Sequence, residues 1–197
     1  TVDAFSQNPQ WVSTYAGANA VFTYSEFGRD TLLKQCDAIN YRGIASPCAS
    51  KTFKPIPNKA QHKESMGITG DIFLIGTVMR NQKRKLYPDL FRVFRKFLDE
   101  TKSTNTYLYC HTCYPDVGWD IPRLLQEFDL TDRVLFTYKC NLCHEIQPNF
   151  FKDSFTFCKK CGKFSSHMAG INNKVEEDDF CKIYNLFDIY IQYANSE

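Results

Sequence analysis

Two pairs of cysteines constrain this chain more than any other feature of its sequence. Cys140 and Cys143 form one C-x-x-C pair, Cys158 and Cys161 form the other, and 14 residues separate the two pairs. Each pair can make a tight turn that points both sulfurs at one ion, and the residues between them suffice for a short β-hairpin. The spacing therefore predicts one zinc ion bound by four sulfurs in a small ribbon over residues 138–166.

Other interpretations of these cysteines fit the pattern less well. Two local C-x-x-C disulfides would be strained, and such bonds are typical of catalytic redox sites. Four sulfur ligands leave no position for water, which predicts a structural ion. His144 and His167 lie nearby in the sequence and are surplus to such a site. A second pair, Cys110 and Cys113, has no partner pair, so buried thiols are the simpler interpretation there.

The composition indicates a folded protein with little overall attraction to polyanions. Hydrophobic residues make up 43% of the chain, enough for a sizeable core. The 24 basic and 22 acidic residues are spread along the chain, so neither nucleic acid nor an anionic membrane surface is expected as the main partner.

No apolar run reaches the roughly 18–20 residues that a membrane-spanning helix needs. Nine cysteines, an odd number, argue against a disulfide framework and favour a reducing, cytoplasmic compartment.

Short β-rich runs alternate with helical patterns along most of the chain. Residues 71–78 are nearly all apolar, as in a strand covered on both faces. Proline in the first turn and apolar residues at helical spacing predict a helix over 87–99. The other expected strands are 20–24, 43–46, 106–110, 133–137 and 188–193, and the other expected helices are 26–36, 62–66, 120–128 and 176–185. This alternation predicts an α/β fold with a parallel, doubly wound sheet.

A basic loop joins the strand at 71–78 to the next helix. It begins at Gly76 and contains Arg80 and Lys85. Loops at the carboxyl edge of a parallel sheet are where this architecture binds phosphates. Glycine permits close approach of the backbone, arginine offers bidentate donors and lysine supplies a mobile charge. A solvated basic turn explains the same residues equally well, and the sequence of the loop leaves both interpretations open.

Several short motifs follow one another in an order typical of one enzyme family. They are F-T-Y-S-E-F-G at 22–28, F-K-P at 53–55, the basic loop, L-T-D-R-V-L-F at 130–136 and the stretch 175–193. Their order resembles the retaining GT-B glycosyltransferases of the group 1 type. Three features depart from that family: A-S-P-C-A-S at 45–50 replaces its P-x-G-V-D stretch, the cysteine-rich ribbon replaces a short loop, and the segment 111–122 is longer than the usual connection.

The resemblance implies a Rossmann-like sheet with helices on both faces, forming the donor-binding half of a two-domain enzyme. Residues 1–57 would be the end of the acceptor-side domain with its linker. Residues 58–197 would be the nucleotide-sugar-binding domain that contains the ribbon. The implied reaction transfers a sugar from a nucleotide-diphosphate sugar to a hydroxyl of an acceptor saccharide or protein, with retention of configuration.

The resemblance also implies roles for individual residues. Arg80 and Lys85 would stabilise the departing diphosphate, with Lys83 as the alternative lysine. His111, at the end of its strand, could point to the donor, and a histidine that only caps the loop is the alternative. Ser196-Glu197 would begin the family's S-x-E-G-F-G loop, whose first glutamate contacts the donor sugar and makes Glu197 the candidate catalytic residue. Since the rest of that loop is absent, we expect a truncated chain that binds donor without turning it over alone.

A different class of function is also possible from the sequence: the chain could be an interaction module whose ribbon binds a protein or nucleic acid. Lysines 159, 160 and 163 surround the second cysteine pair, and phenylalanines 150, 151, 155 and 157 are close by. Aromatic rings interleaved with lysines can stack on single-stranded bases. Against this interpretation, so small a ribbon is expected to need its phenylalanines for its own core.

Overall fold

A computed structural model of the chain describes residues 6–48 and 50–194. It divides the chain into two compact units, the first ending at Ser50 and the second starting at Lys51. The domain boundary expected from the sequence, after residue 57, falls inside the second unit. Among the described residues, no helix combines the length and the apolar character required to cross a membrane.

The first unit is a small α/β element. It contains the helices α1 (Pro9–Ala16) and α2 (Glu26–Gln35) and two parallel strands, β1 (Val21–Thr23) and β2 (Tyr41–Ile44). Ser25 caps α2, with its hydroxyl accepting a hydrogen bond from the Gly28 amide at 3.2 Å. The helix α1 was not expected, although Asn8 caps it through the Gln10 amide.

The second unit alternates strands and helices and contains a β-rich insertion. Its helices are α3 (Lys59–Ser65), α4 (Tyr87–Thr101), α5 (Ile121–Glu127) and α6 (Glu177–Tyr184). Its strands are β3 (Phe73–Val78), β4 (Thr106–His111), β5 (Val134–Cys140), β6 (Ile146–Phe150), β7 (Phe155–Phe157), β8 (Phe164–Met168) and β9 (Ile189–Tyr190). The last strand is shorter than the six residues expected from the sequence.

Four of these strands form a parallel sheet in the order β5-β4-β3-β9. Successive residues of a strand point to opposite faces, and β4 shows the consequence. Leu108 and Cys110 belong to a hydrophobic cluster with α4 and α5, whereas Tyr109 belongs to a second cluster with α6 and the turn after α3. Helices therefore cover both faces of a mixed α/β fold, as the continuous apolar strands predict.

Asp188 fixes the start of β9 against β3. Its carboxylate accepts a hydrogen bond from the Leu74 amide at 2.7 Å and forms ion pairs with Lys59 and Lys63 of α3. The segment before α3 is also held in place, because the side chain of Asn185 bonds the Lys54 carbonyl and the Ile56 amide. Residues expected to form an interdomain linker thus pack on α6.

The cysteine-rich segment continues the sheet. The first residues of β5 pair in parallel with β4, and its last residues, Tyr138–Cys140, pair antiparallel with β8. The strand β6 pairs antiparallel with β5, and β7 with β8. The expectation of one hairpin between the cysteine pairs was therefore wrong: two hairpins, β5–β6 and β7–β8, share one sheet with the parallel strands.

Candidate functional site

The four cysteines of the two C-x-x-C pairs meet where the turns of the two hairpins come together. All four Sγ atoms lie within 4.8 Å of one another. The Sγ atom of Cys140 is 3.7 Å from that of Cys161, and the Sγ atom of Cys143 is 3.5 Å from that of Cys158. A tetrahedron with metal–sulfur bonds of about 2.3 Å has sulfur–sulfur edges of about 3.8 Å. The cluster therefore fits a metal ion such as zinc.

The local backbone prepares this cluster to receive a cation. The amides of Leu142 and Cys143 lie 3.4 Å from the Sγ atom of Cys140, and the Ser165 hydroxyl lies 3.1 Å from it. Burial alone would raise the pKa of the Cys140 thiol, but these hydrogen bonds and one with the Cys143 thiol outweigh burial and lower that pKa, whereas burial and the neighbouring thiols raise the pKa of Cys143. The thiolate is the form that ligates metal. Gly162, with a φ of +68°, permits the tight second turn.

The other candidate ligands remain outside the cluster. His144 adopts a positive φ in the first turn, and the ring of His167 packs 4.2 Å from that of Phe155. Cys110 is fully buried in β4, and burial raises the pKa of its thiol. Within the described part of the chain, the four-cysteine cluster is the single group with ligating geometry. Cys110 and Cys113 are free thiols.

A cavity of about 350 Å³ opens at the carboxyl ends of β3 and β4. Its walls come from residues 78–80 after β3, residues 111–113 after β4, the segment 169–175 and Phe180 of α6. The lining is mostly apolar, with Arg80, His111 and Lys174 as its ionisable residues apart from Cys113. This is the edge at which ligands bind in open parallel sheets, because the loops that follow the strands converge there.

Arg80 lies at the cavity, but a carboxylate already engages it. Its Nε and one terminal nitrogen donate to the two carboxylate oxygens of Asp116, at 2.9 and 3.0 Å. The guanidinium holds the pKa of Asp116 at about 2. The Asp116 side chain is nearly buried, whereas that of Arg80 is 44% exposed. Asp116 therefore fixes the orientation of Arg80 and leaves part of its donor surface accessible.

His111 is held as a neutral ring at the cavity wall. Its Nδ1 lies 2.9 Å from the Thr137 hydroxyl, which also lies 2.9 Å from the Tyr109 hydroxyl. Its ring packs 4.9 Å from that of Phe180. Burial lowers the pKa of His111 to about 4, so the ring is uncharged at neutral pH. Since Nδ1 is occupied, Nε2 is the nitrogen that can serve a ligand.

Two other residues of the basic loop do not line the cavity. Gly76 is buried within β3, and a Cβ atom there would lie 2.1 Å from the ring of Phe187. The glycine thus allows an aromatic ring to pack on the strand. Lys85 is 6% exposed and pairs with Ala194 in an isolated bridge, and its carbonyl accepts from the Trp119 indole. It faces the chain that follows β9.

The sequence interpretation missed Asp116, Lys174 and Phe180 and named Glu197, which lies outside the described residues. Asp116 sits in a loop after a parallel strand, and that position is a usable signal, because the ends of neighbouring strands meet. Lys174 and Phe180 lie 94 and 100 residues from Arg80 in the sequence, and only the fold brings them to it. No protein-family model matches this sequence, and no curated protein matches it either.

Proposed function

We propose that the second unit is the donor-binding half of a glycosyltransferase that takes its sugar from a nucleotide-diphosphate sugar. The main support for this proposal is the cavity at the carboxyl edge of a parallel sheet ordered β5-β4-β3-β9. That order is the first part of a doubly wound sheet, in which the direction of the connections switches between β3 and β9. The loop from Arg80 to Lys85 leaves β3 at this switch point, beside the cavity.

The volume and the lining of the cavity both suit a nucleotide. A volume of about 350 Å³ lies within the range of small-ligand sites, which are mostly apolar with a few polar groups. The apolar walls suit a base or sugar ring, and Arg80 and Lys174 suit phosphate oxygens. The neutral His111 can exchange a hydrogen bond with an uncharged group. In the proposed reaction the acceptor oxygen bonds to the anomeric carbon on the face from which the diphosphate leaves, so that configuration is retained; the anomeric C–O bond to the diphosphate breaks, and the departing diphosphate takes the hydroxyl proton. Glu197 remains the predicted contact to the donor sugar.

Arg80 can contribute to this site despite its partner. A guanidinium has five N–H donors, and Asp116 uses two of them. The remaining donors can bind a diphosphate while Asp116 prevents the side chain from rotating away. Such a preoriented charge stabilises a departing diphosphate without reorganisation during the reaction.

We further propose that the four-cysteine cluster holds one structural zinc ion. Its ligands are Cys140, Cys143, Cys158 and Cys161, and four sulfurs complete a tetrahedral shell. Bound zinc would lock the two hairpin turns together. The odd number of cysteines, four of which form this cluster, favours a reducing compartment such as the cytoplasm.

A thermal unfolding series tests the donor proposal. The chain is heated with UDP-glucose, GDP-mannose or other UDP- and GDP-sugars, each at a concentration rising to 1 mM or more. A ligand at 100 times its dissociation constant stabilises the fold by about 2.7 kcal/mol. For a chain of this size that corresponds to a rise of roughly 5–10 °C in the melting temperature. If no nucleotide sugar raises the melting temperature, the donor-binding proposal fails.

A further inference from the structure

The second hairpin of the ribbon exposes a row of aromatic rings. Phe155, Phe157 and Phe164 are 46%, 63% and 61% exposed. Of the phenylalanines expected to form the ribbon's own core, Phe151 packs instead against the hydrophobic cluster of the main sheet, and Phe155 and Phe157 are exposed. Apolar side chains that are exposed singly need no explanation, but contiguous ones mark a binding surface.

The rings form one continuous surface because the hairpin register aligns them. Phe155 and Phe157 are two residues apart on β7, and the register with β8 shifts between Thr156 and Phe157, which brings Phe157 opposite Phe164. Their partners on β8 are His167 and Phe164, respectively. Neighbouring ring centroids are 5.0 Å apart from Phe157 to Phe164, 6.2 Å from Phe164 to Phe155 and 4.2 Å from Phe155 to His167. We call these four rings the aromatic face.

The segment that contains this hairpin and the turn of the other concentrates positive charge. Residues 141–168 contain four lysines and two acidic residues, a difference equal to the net charge of +2 of the whole chain. Lys160 pairs with Glu145 at 2.9 Å. Lys163 directly precedes Phe164, and Lys152 lies three residues before Phe155, so an exposed lysine stands near each end of the aromatic face. The remaining 169 residues carry balanced charge.

We propose that the aromatic face binds single-stranded nucleic acid, with bases stacked on its phenylalanines and phosphates near its lysines. Positive charge beside exposed rings is the chemistry of sequence-tolerant single-strand binding. A protein partner fits less well, since protein interfaces are depleted in lysine. The four-cysteine cluster joins the turn of this hairpin to the turn of the other, so the rings are held in position before a strand arrives.

Fluorescence anisotropy on the full chain, loaded with zinc, tests this proposal with a 5′-fluorescein-labelled dT12 strand. We expect binding at low salt that weakens at least tenfold in Phe157→Ala and in Phe164→Ala, because each substitution removes one stacking platform. Lys163→Ala should lower the slope of log affinity against log salt by about 0.7. Both phenylalanines are mostly exposed, so their removal should leave the fold intact, which one zinc per chain and an unchanged near-ultraviolet spectrum would verify.

Phe97→Ala is the matched control, since Phe97 is a 37% exposed phenylalanine on α4 in the same unit. Its affinity for dT12 should equal that of the wild type. The proposal is overturned if dT12 does not bind at 20 mM salt, or if the Phe157 and Phe164 variants bind as tightly as the control. It is also overturned if sedimentation shows a dimer that the Phe157→Ala substitution dissociates, because the aromatic face would then join two copies of this chain. Dextran sulfate is then added as a competitor for dT12. If it displaces dT12 equally well from every variant, the binding depends on overall charge and not on the aromatic face, and the proposal is overturned.

Discussion

At the scale of single residues, the pair of Arg80 and Asp116 places an oriented guanidinium at the cavity. Arg80 is the cation of the basic loop whose side chain reaches the cavity, and Asp116 holds it there through two hydrogen bonds. A guanidinium in this arrangement can present its remaining donors in a fixed direction, which a flexible lysine cannot do.

We predict that Arg80→Ala weakens the binding of UDP- or GDP-sugars by roughly 10- to 150-fold, the loss expected for hydrogen bonds to a charged group. Arg80→Lys should restore little of it, because an ammonium lacks the planar fork that Asp116 orients. Isothermal titration measures both affinities. The control is Arg84→Ala, an exposed arginine of the same loop that does not line the cavity. Unchanged affinity in Arg80→Ala would remove Arg80 from the site.

His111 should give the chain a distinct pH dependence of stability. Its pKa is about 4 when folded and about 6.5 when unfolded, so between these values the unfolded state binds more protons. The free energy of unfolding should therefore fall as the pH is lowered from about 6.5 to 4, and His111 should contribute no slope above pH 7. Urea titrations of the wild type and of His111→Gln at pH 7, 6, 5 and 4.5 measure this. Parallel curves for the two proteins would contradict the assignment.

At the scale of secondary-structure elements, packing on β3 explains why a glycine stands within a strand. The ring of Phe187 lies where a side chain at position 76 would be. We predict that Gly76→Ala destabilises the fold by about 1–3 kcal/mol through overpacking. Replacing Phe187 by leucine in the same chain should recover part of this loss. Urea unfolding measures the free energy of unfolding of the wild type, Gly76→Ala, Phe187→Leu and the double variant. A destabilisation below about 0.5 kcal/mol in Gly76→Ala would show that the strand has room for a side chain there.

The two hairpins of the ribbon should depend on the metal, and the parallel strands much less. We predict that Cys143→Ser abolishes stoichiometric zinc binding and increases amide exchange in residues 138–165, because one missing sulfur opens the tetrahedral shell. Exchange in β3 and β4 should change little, since both strands lie within the helix-covered sheet. Metal analysis and hydrogen exchange measure this, with Cys36→Ser as the control. One zinc per chain in Cys143→Ser would contradict the ligand set.

Elements with a strong local pattern could be predicted from the sequence, and elements fixed by tertiary contacts could not. The strand at 73–78 and the helix at 87–101 follow from apolar periodicity and a proline in the first helical turn. The helix α1 was missed because its pattern is weak. One hairpin was expected in the ribbon, whereas the structure has two. The reason is that β6 and β8 both pair with β5, and local sequence does not encode that pairing.

At the scale of the whole molecule, the described chain separates two chemistries within its second unit. The cavity lies at the carboxyl edge of the parallel sheet, and the aromatic face lies on the β7–β8 hairpin. The sequence predicted the cysteine cluster because all four ligands sit in two tight turns. It could not predict how the cavity walls come together, since Arg80, His111 and Lys174 come from three separate segments that meet only after the sheet has formed.

A crystal structure of the chain with bound UDP or GDP tests the central claim most directly. We predict that the diphosphate lies within about 3 Å of the Arg80 guanidinium, which keeps its bonds to Asp116, and that the base or ribose occupies the cavity beside His111 and Phe180. A nucleotide bound elsewhere on the chain, with the cavity empty and Arg80 contacting Asp116 alone, would contradict it.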